Sequence, residues 1–172
     1  MSEFGQIQGK GNDMEQDSLH QMLLRYNRVF KDIDQVYHQM ARICGLPDCA
    51  FWILYLLRES EVKYTQSGVS ENLSLSRQTV NSALKKLQQE GYIAMAPGES
   101  NRKNKPLRLT HRGEELCRNT VDLVLQAEIN TLARFTPEER ESFLSLQEQY
   151  AQALRQEGNR LLLPCTGEEE QG

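Results

Sequence analysis

Gln78, Asn81, Ser82 and Lys85 recur at i, i+3, i+4 and i+7 along the stretch RQTVNSALKKLQQE (77–90), while Val80, Ala83, Leu84 and Leu87 share another face. The second face is built for a core, and the first for reading a surface. Side-chain amides such as those of Gln78 and Asn81 can bond the adenine edge at two points, and Arg77 can take guanine or a phosphate. The hydroxyls of Ser76, Thr79 and Ser82 serve base edges or phosphates, and Lys85 and Lys86 suit phosphates. Gln66, at the head of the preceding segment, belongs to the same candidate set. An isolated helix of this composition is more often merely solvated, so its neighbours decide the matter.

Those neighbours position it. Ser76 offers an N-cap and Gly91 a C′ residue, which bounds a helix at 77–90. Thr65 caps a shorter helix, Gln66 to Leu73, and Ser74-Leu75 forms the turn between the two. Tyr92–Ala96 and Leu107–Thr110 have strand character, and the residues between them are turn formers and cations. The result is a hairpin whose tip carries Arg102, Lys103 and Lys105, suited to lie along phosphates or enter a minor groove.

The chain of 172 residues has a net charge of −4, yet eight basic residues face only two acidic ones between Arg77 and Arg112, a local +6. An acidic protein thus carries one basic segment, and for a polyanion partner it is placement that counts. Residues 1–16 and 164–172 lack periodicity and read as disordered ends. From about 17 to 43, Leu19, Met22, Leu23, Tyr26, Phe30, Ile33, Tyr37 and Met40 keep the 3/4 spacing of an amphipathic helix, which Gly45 and Pro47 end. Residues 48–60 read as a buried helix capped by Asp48, and Glu61–Tyr64 as a short strand. A long helix is expected over about 112–134. Thr136-Pro137-Glu138-Glu139 is a capping box for a last helix running to about Gln156.

Residues 64–93, YTQSGVSENLSLSRQTVNSALKKLQQEGYI, resemble the helix-turn-helix of the MarR family of bacterial regulators, and NRKNKPLRLTHRGEEL (101–116) resembles that family's wing. The order of elements over about 17–157 is also similar. The resemblance implies a mostly α, winged helix-turn-helix (α+β) fold in which 17–163 form a single domain. In it 48–111 are the DNA-binding lobe, and 17–47 and 112–163 are long dimerisation helices. It further implies an obligate homodimer on a pseudo-palindromic double-stranded DNA operator, repression as the expected sign, and a small-molecule effector cavity between the dimerisation helices and the DNA-binding lobe. The wing departs from the family pattern, with Asn101 where an Asp is common and Lys103 where an Arg is common.

Other chemistry is weaker. Cys44 and Cys49 flank the joint between the first two helices, and some relatives of this type sense oxidants through such a thiol; small buried side chains in a helical junction are the plainer reading. His20, His38 and His111 are scattered singly, so no metal site and no cofactor are expected. No acid/base pair, nucleophile motif or phosphate loop is present, which points away from an enzyme. The longest apolar run, Cys49 to Leu57, is too short to span a bilayer, and no signal peptide is visible, so a cytoplasmic protein without membrane contact is expected. A winged-helix module that docks protein without binding DNA is the alternative from another class.

Overall fold

The computed structural model describes residues 4–96 and 105–162. Helix α1 runs Phe4–Ile43. Its end is set where expected: Gly45 takes φ +70°, its N–H donates to the Arg42 carbonyl at 3.0 Å, and the Leu46 N–H donates to the Ala41 carbonyl at 3.1 Å. Its start is not. The apolar spacing places it near residue 17, whereas the helix is continuous from Phe4. Extending an existing helix costs far less than nucleating one, so a stretch without amphipathic pattern can still be helical.

Helix α2 (Asp48–Glu59) is the centre of the core, as its unbroken apolar run predicts. Pro47 rather than Asp48 occupies the N-cap, with φ −62° and ψ 142°. Asp48 is the first helical residue instead, and its Oδ2 lies 2.7 Å from His38 Nδ1 on α1. Phe51, Ile53 and Leu54 are completely enclosed. Against α2 lies α4 (Arg77–Gln89), with Val80, Leu84 and Leu87 buried, and α3 (Gln66–Asn72), with Val69 buried, packs on α4. Tyr37 of α1 meets Trp52 at a ring-centroid distance of 5.2 Å.

Strands β1 (Ile93–Met95) and β2 (Leu107–Leu109) pair antiparallel, with Ile93 opposite Leu109 and Met95 opposite Leu107. The stretch Glu61–Tyr64 is no strand. It contributes a single ladder bond, from the Leu107 N–H to the Tyr64 carbonyl at 2.8 Å.

The helix expected over 112–134 is broken into α5 (His111–Arg118) and α6 (Val121–Leu132). At the break the backbone tightens, the Asn119 N–H turning to the Leu116 carbonyl and the Thr120 N–H to the Cys117 carbonyl, both at 3.1 Å, and polar side chains bond beside it. Asn119 Nδ2 donates to the Glu115 carbonyl at 3.0 Å and Thr120 Oγ1 to the Leu116 carbonyl at 2.7 Å, taking carbonyls that a continuing helix would use. Arg58 of α2 then forks onto Asp122 at 2.8 and 2.6 Å, tying the first turn of α6 to the core. That hydrogen bonding holds the Asp122 carboxyl below its ordinary range and raises Arg58.

The described residues fall into two units, the first ending at Val124 and the second beginning at Leu125. The second consists of the rest of α6 and α7 (Pro137–Leu162), longer than the expected end at Gln156. The capping box forms as read: the Thr136 N–H donates to Glu139 Oε2 at 2.8 Å, and the Glu139 N–H to Thr136 Oγ1 at 3.2 Å. No single helix among the described residues is long and apolar enough to cross a membrane.

One close approach fixes α5. A Cβ on buried Gly113 would stand 1.9 Å from the Tyr92 carbonyl oxygen, which is backbone and cannot swing aside. Gly113→Ala is therefore expected to cost at least about 2 kcal/mol of stability in urea unfolding. Gly158→Ala on α7, where a Cβ meets nothing within 4 Å, should be neutral or gain up to about 1 kcal/mol. Equal stabilities for the two variants would refute this account of Gly113.

Candidate nucleic-acid interface

The helix pair α3–α4 is shaped by its own polar residues. Thr65 Oγ1 accepts from the Gly68 N–H at 3.2 Å, and Ser76 Oγ accepts from the Thr79 N–H at 3.1 Å, so both expected N-caps are formed. The turn between them holds Ser74 at φ +52°. Ser70, almost fully buried, closes this turn: its Oγ donates to the Leu75 carbonyl at 2.8 Å while the Leu75 N–H returns to the Ser70 carbonyl at 3.3 Å. Sequence reading missed Ser70, since only its burial distinguishes it from a loop serine. At the far end, Gly91 at φ +75° and the bonds Gly91 N–H to Gln88 and Tyr92 N–H to Leu87 terminate α4.

With Val80, Leu84 and Leu87 facing α2, the opposite face of α4 is open. Arg77, Gln78, Asn81, Ser82, Lys85 and Lys86 are all exposed on it. No acidic side chain lies between Arg77 and Gln89. Ser82 Oγ donates to the Gln78 carbonyl at 3.0 Å within the helix. Lys86, on the flank, comes within 4.0 Å of Glu90. Ser76 and Thr79 are engaged with each other, their hydroxyls 2.8 Å apart, so the cap occupies both. Gln66, half-buried at the first turn of α3, donates through Nε2 to Asn81 Oδ1. The structure thus joins Gln66 to the α4 face, as a partner of another candidate.

The hairpin follows α4, with β1 packed against that helix. Lys105 is half-buried at the foot of β2 and Arg108 is exposed on it; Arg102 and Lys103 lie outside the described residues. Arg112, at the start of α5, lies 5.0 Å over the Tyr92 ring. Arg108 and Arg112 were not among the expected contacts, although both count in the basic segment from Arg77 to Arg112.

Two hollows flank α4. One, of about 540 Å3, lies among α1, α2 and the α3–α4 turn and is lined by His38, Cys49, Trp52, Leu73, Leu75 and Thr79. The other, of about 670 Å3, lies between the α1–α2 joint and α5, beside Lys86 and Arg112. Burial pushes the thiols of Cys44 and Cys49 up, and that of Cys117 up to about 11, the opposite of what a reactive thiolate needs. Among the described residues no group of His, Cys, Asp and Glu is arranged to hold a metal ion.

Residues 53–94 match the family model described as winged helix-turn-helix DNA-binding. No curated protein sequence matches the chain significantly. A MarR-family regulator from Neisseria meningitidis has a similar structure, with 24% identity and a TM-score of 0.67, over 83% of this chain and 97% of that one. Staphylococcus aureus MarR in complex with salicylate and kanamycin is similar at 15% identity and a TM-score of 0.63, over 80% and 93%. Staphylococcus aureus MepR in a DNA-binding conformation follows at 19% and 0.64, over 75% and 98%. At these identities the likeness is one of fold. A winged helix-turn-helix DNA-binding segment set within the mostly helical fold of MarR-family regulators is what this chain is built as.

Proposed function

We propose that the chain is a MarR-type transcriptional regulator, a cytoplasmic homodimer that reads double-stranded DNA with α4 in the major groove and places its basic hairpin on the flanking minor groove or phosphates. The observation that carries this reading is the open face of α4: cationic and amide side chains, no carboxylate, on a helix capped at both ends and backed by the core. Dimerisation is supported by α1, where Leu19, Met22, Leu23, Val29, Phe30 and Ile33 are each 45–64% exposed, an apolar stripe too large for an isolated soluble chain. Repression is the expected sign of control.

Binding to specific and scrambled duplexes over a salt series tests this. Gln78→Ala or Asn81→Ala should cost ~1–3 kcal/mol on the operator and little on scrambled DNA. Lys103→Ala or Lys105→Ala should weaken both duplexes alike and lower the salt slope by about 0.9 for each phosphate no longer neutralised. Two chains should bind one imperfect palindrome whose half-sites are centred about 10–10.5 bp apart, or a multiple of this. Helix and hairpin variants that behave alike, or a monomer that binds as well as a dimer, would refute the reading.

The apolar hollow beside Trp52 supports release by a small-molecule effector, and the Staphylococcus aureus MarR that shares this fold was solved with salicylate and kanamycin. Salicylate should then raise the melting temperature of the free protein and weaken operator binding, and a Trp52→Ala variant that responds as well as the parent would exclude this hollow.

A thiol-based switch is disfavoured by the raised thiol pKa values. Peroxide should leave operator affinity unchanged, since a thiol pushed up by burial is mostly protonated at neutral pH. Loss of binding on oxidation, prevented by Cys44→Ser or Cys49→Ser, would establish the redox reading instead.

A further inference from the structure

Asn81 does not stand free on the open face of α4. Its Oδ1 accepts from Nε2 of Gln66, which is anchored on a different helix immediately after the Thr65 cap. An unrestrained amide can turn through half a revolution and present either its oxygen or its NH2 to a neighbour, and so accommodates several bases. In the arrangement seen, Gln66 Nε2 donates to the oxygen of the Asn81 amide, which leaves Nδ2, a donor, on the side away from α3.

We propose that Gln66 is a positioning residue that fixes the direction of the Asn81 amide and so selects which bases Asn81 tolerates. The proposal rests on α4 being the reading helix. With Nδ2 outward, Asn81 discriminates at the position where guanine presents O6 and thymine O4, both acceptors; the N7 acceptor is common to guanine and adenine and separates nothing. Asn81 is poorly matched to the amino groups of adenine N6 and cytosine N4. The pair of residues is thus a polarity filter, with Gln66 setting its sign without touching the DNA.

The test is a set of operators in which each base pair facing α4 is varied in turn. They are bound by wild type, Gln66→Ala, Gln66→Glu, Asn81→Ala and the double variant Gln66→Ala/Asn81→Ala. At one pair in each half-site, wild type should favour guanine or thymine by roughly tenfold, and Asn81→Ala should erase that preference. Gln66→Ala should erase most of it while leaving the melting temperature and the affinity for scrambled DNA unchanged, and the double variant should be no worse than Asn81→Ala alone.

Gln66→Glu is the sharper arm. A carboxylate only accepts, so it draws Nδ2 inward and turns Oδ1 outward, and the preference at the same pair should move toward adenine or cytosine. Ratios between operators cancel the general weakening that an added negative charge brings. Additive losses for the single variants, or an unchanged preference in Gln66→Glu, overturn the positioning role while leaving the reading helix intact. A wild type indifferent to every substitution facing α4 overturns the reading helix itself.

Discussion

The carbonyl oxygens of Gly91 and Tyr92 receive the Thr110 hydroxyl at 2.6 and 3.2 Å, and the Tyr92 carbonyl also receives the Thr110 N–H at 3.0 Å. The same Thr110 oxygen accepts from the Gly113 N–H at 3.1 Å, and the backbone of Gly113 packs against that Tyr92 carbonyl with no room for a Cβ. Three elements meet there: the end of α4, the start of β1 and the first turn of α5. A hairpin of two three-residue strands is marginal by itself. Its direction relative to α4 is fixed because both of its ends are tied to the place where α4 stops.

Polar residues near α4 divide between holding the backbone and remaining available. Ser70, Thr65 and Ser76 are engaged by the turn and the caps, each bonding a backbone group, and the Thr79 hydroxyl is paired with that of Ser76. Arg77, Gln78 and Lys85 have no such duty among the described residues and share the exposed side. Helices as short as α3 and α4 have little stability alone. Their rigidity comes from these caps and from the buried side chains Val69, Val80, Leu84 and Leu87.

What could be read from the sequence was local. Thr65, Ser76, Gly45, Gly91 and the Thr136/Glu139 box act within a few residues of themselves, so their types and spacing were sufficient, and the strand bounds of the hairpin followed within a residue at each end. The break at Asn119–Thr120 was not legible, because Leu116, Leu123 and Val124 keep a helical spacing across it while the backbone tightens to bonds three residues back at Asn119 and Thr120. Asp48 lost the N-cap to Pro47, whose fixed φ suits that position, and His38 is its partner from α1. Arg58–Asp122 and Gln66–Asn81 bring together residues 64 and 15 positions apart, and no pattern along the chain announces either pairing.

Between the apolar stripe of α1 and the open face of α4 stands α2, and its aromatic residues connect the two. Trp52 meets Tyr37 of α1 on one side and borders the hollow under Leu73 and Leu75 on the other. His38 reaches both Asp34 on its own helix and Asp48 at the first turn of α2, at 3.3 and 2.7 Å. The side chains that join α1 to α2 therefore also wall the cavity beneath the α3–α4 turn. Any change in the angle between α1 and α2 must alter that cavity, and anything that fills the cavity bears on the turn that aims α4. Packed side chains rearrange between discrete states and do not deform smoothly, so a rearrangement at this contact carries through to the turn that precedes α4.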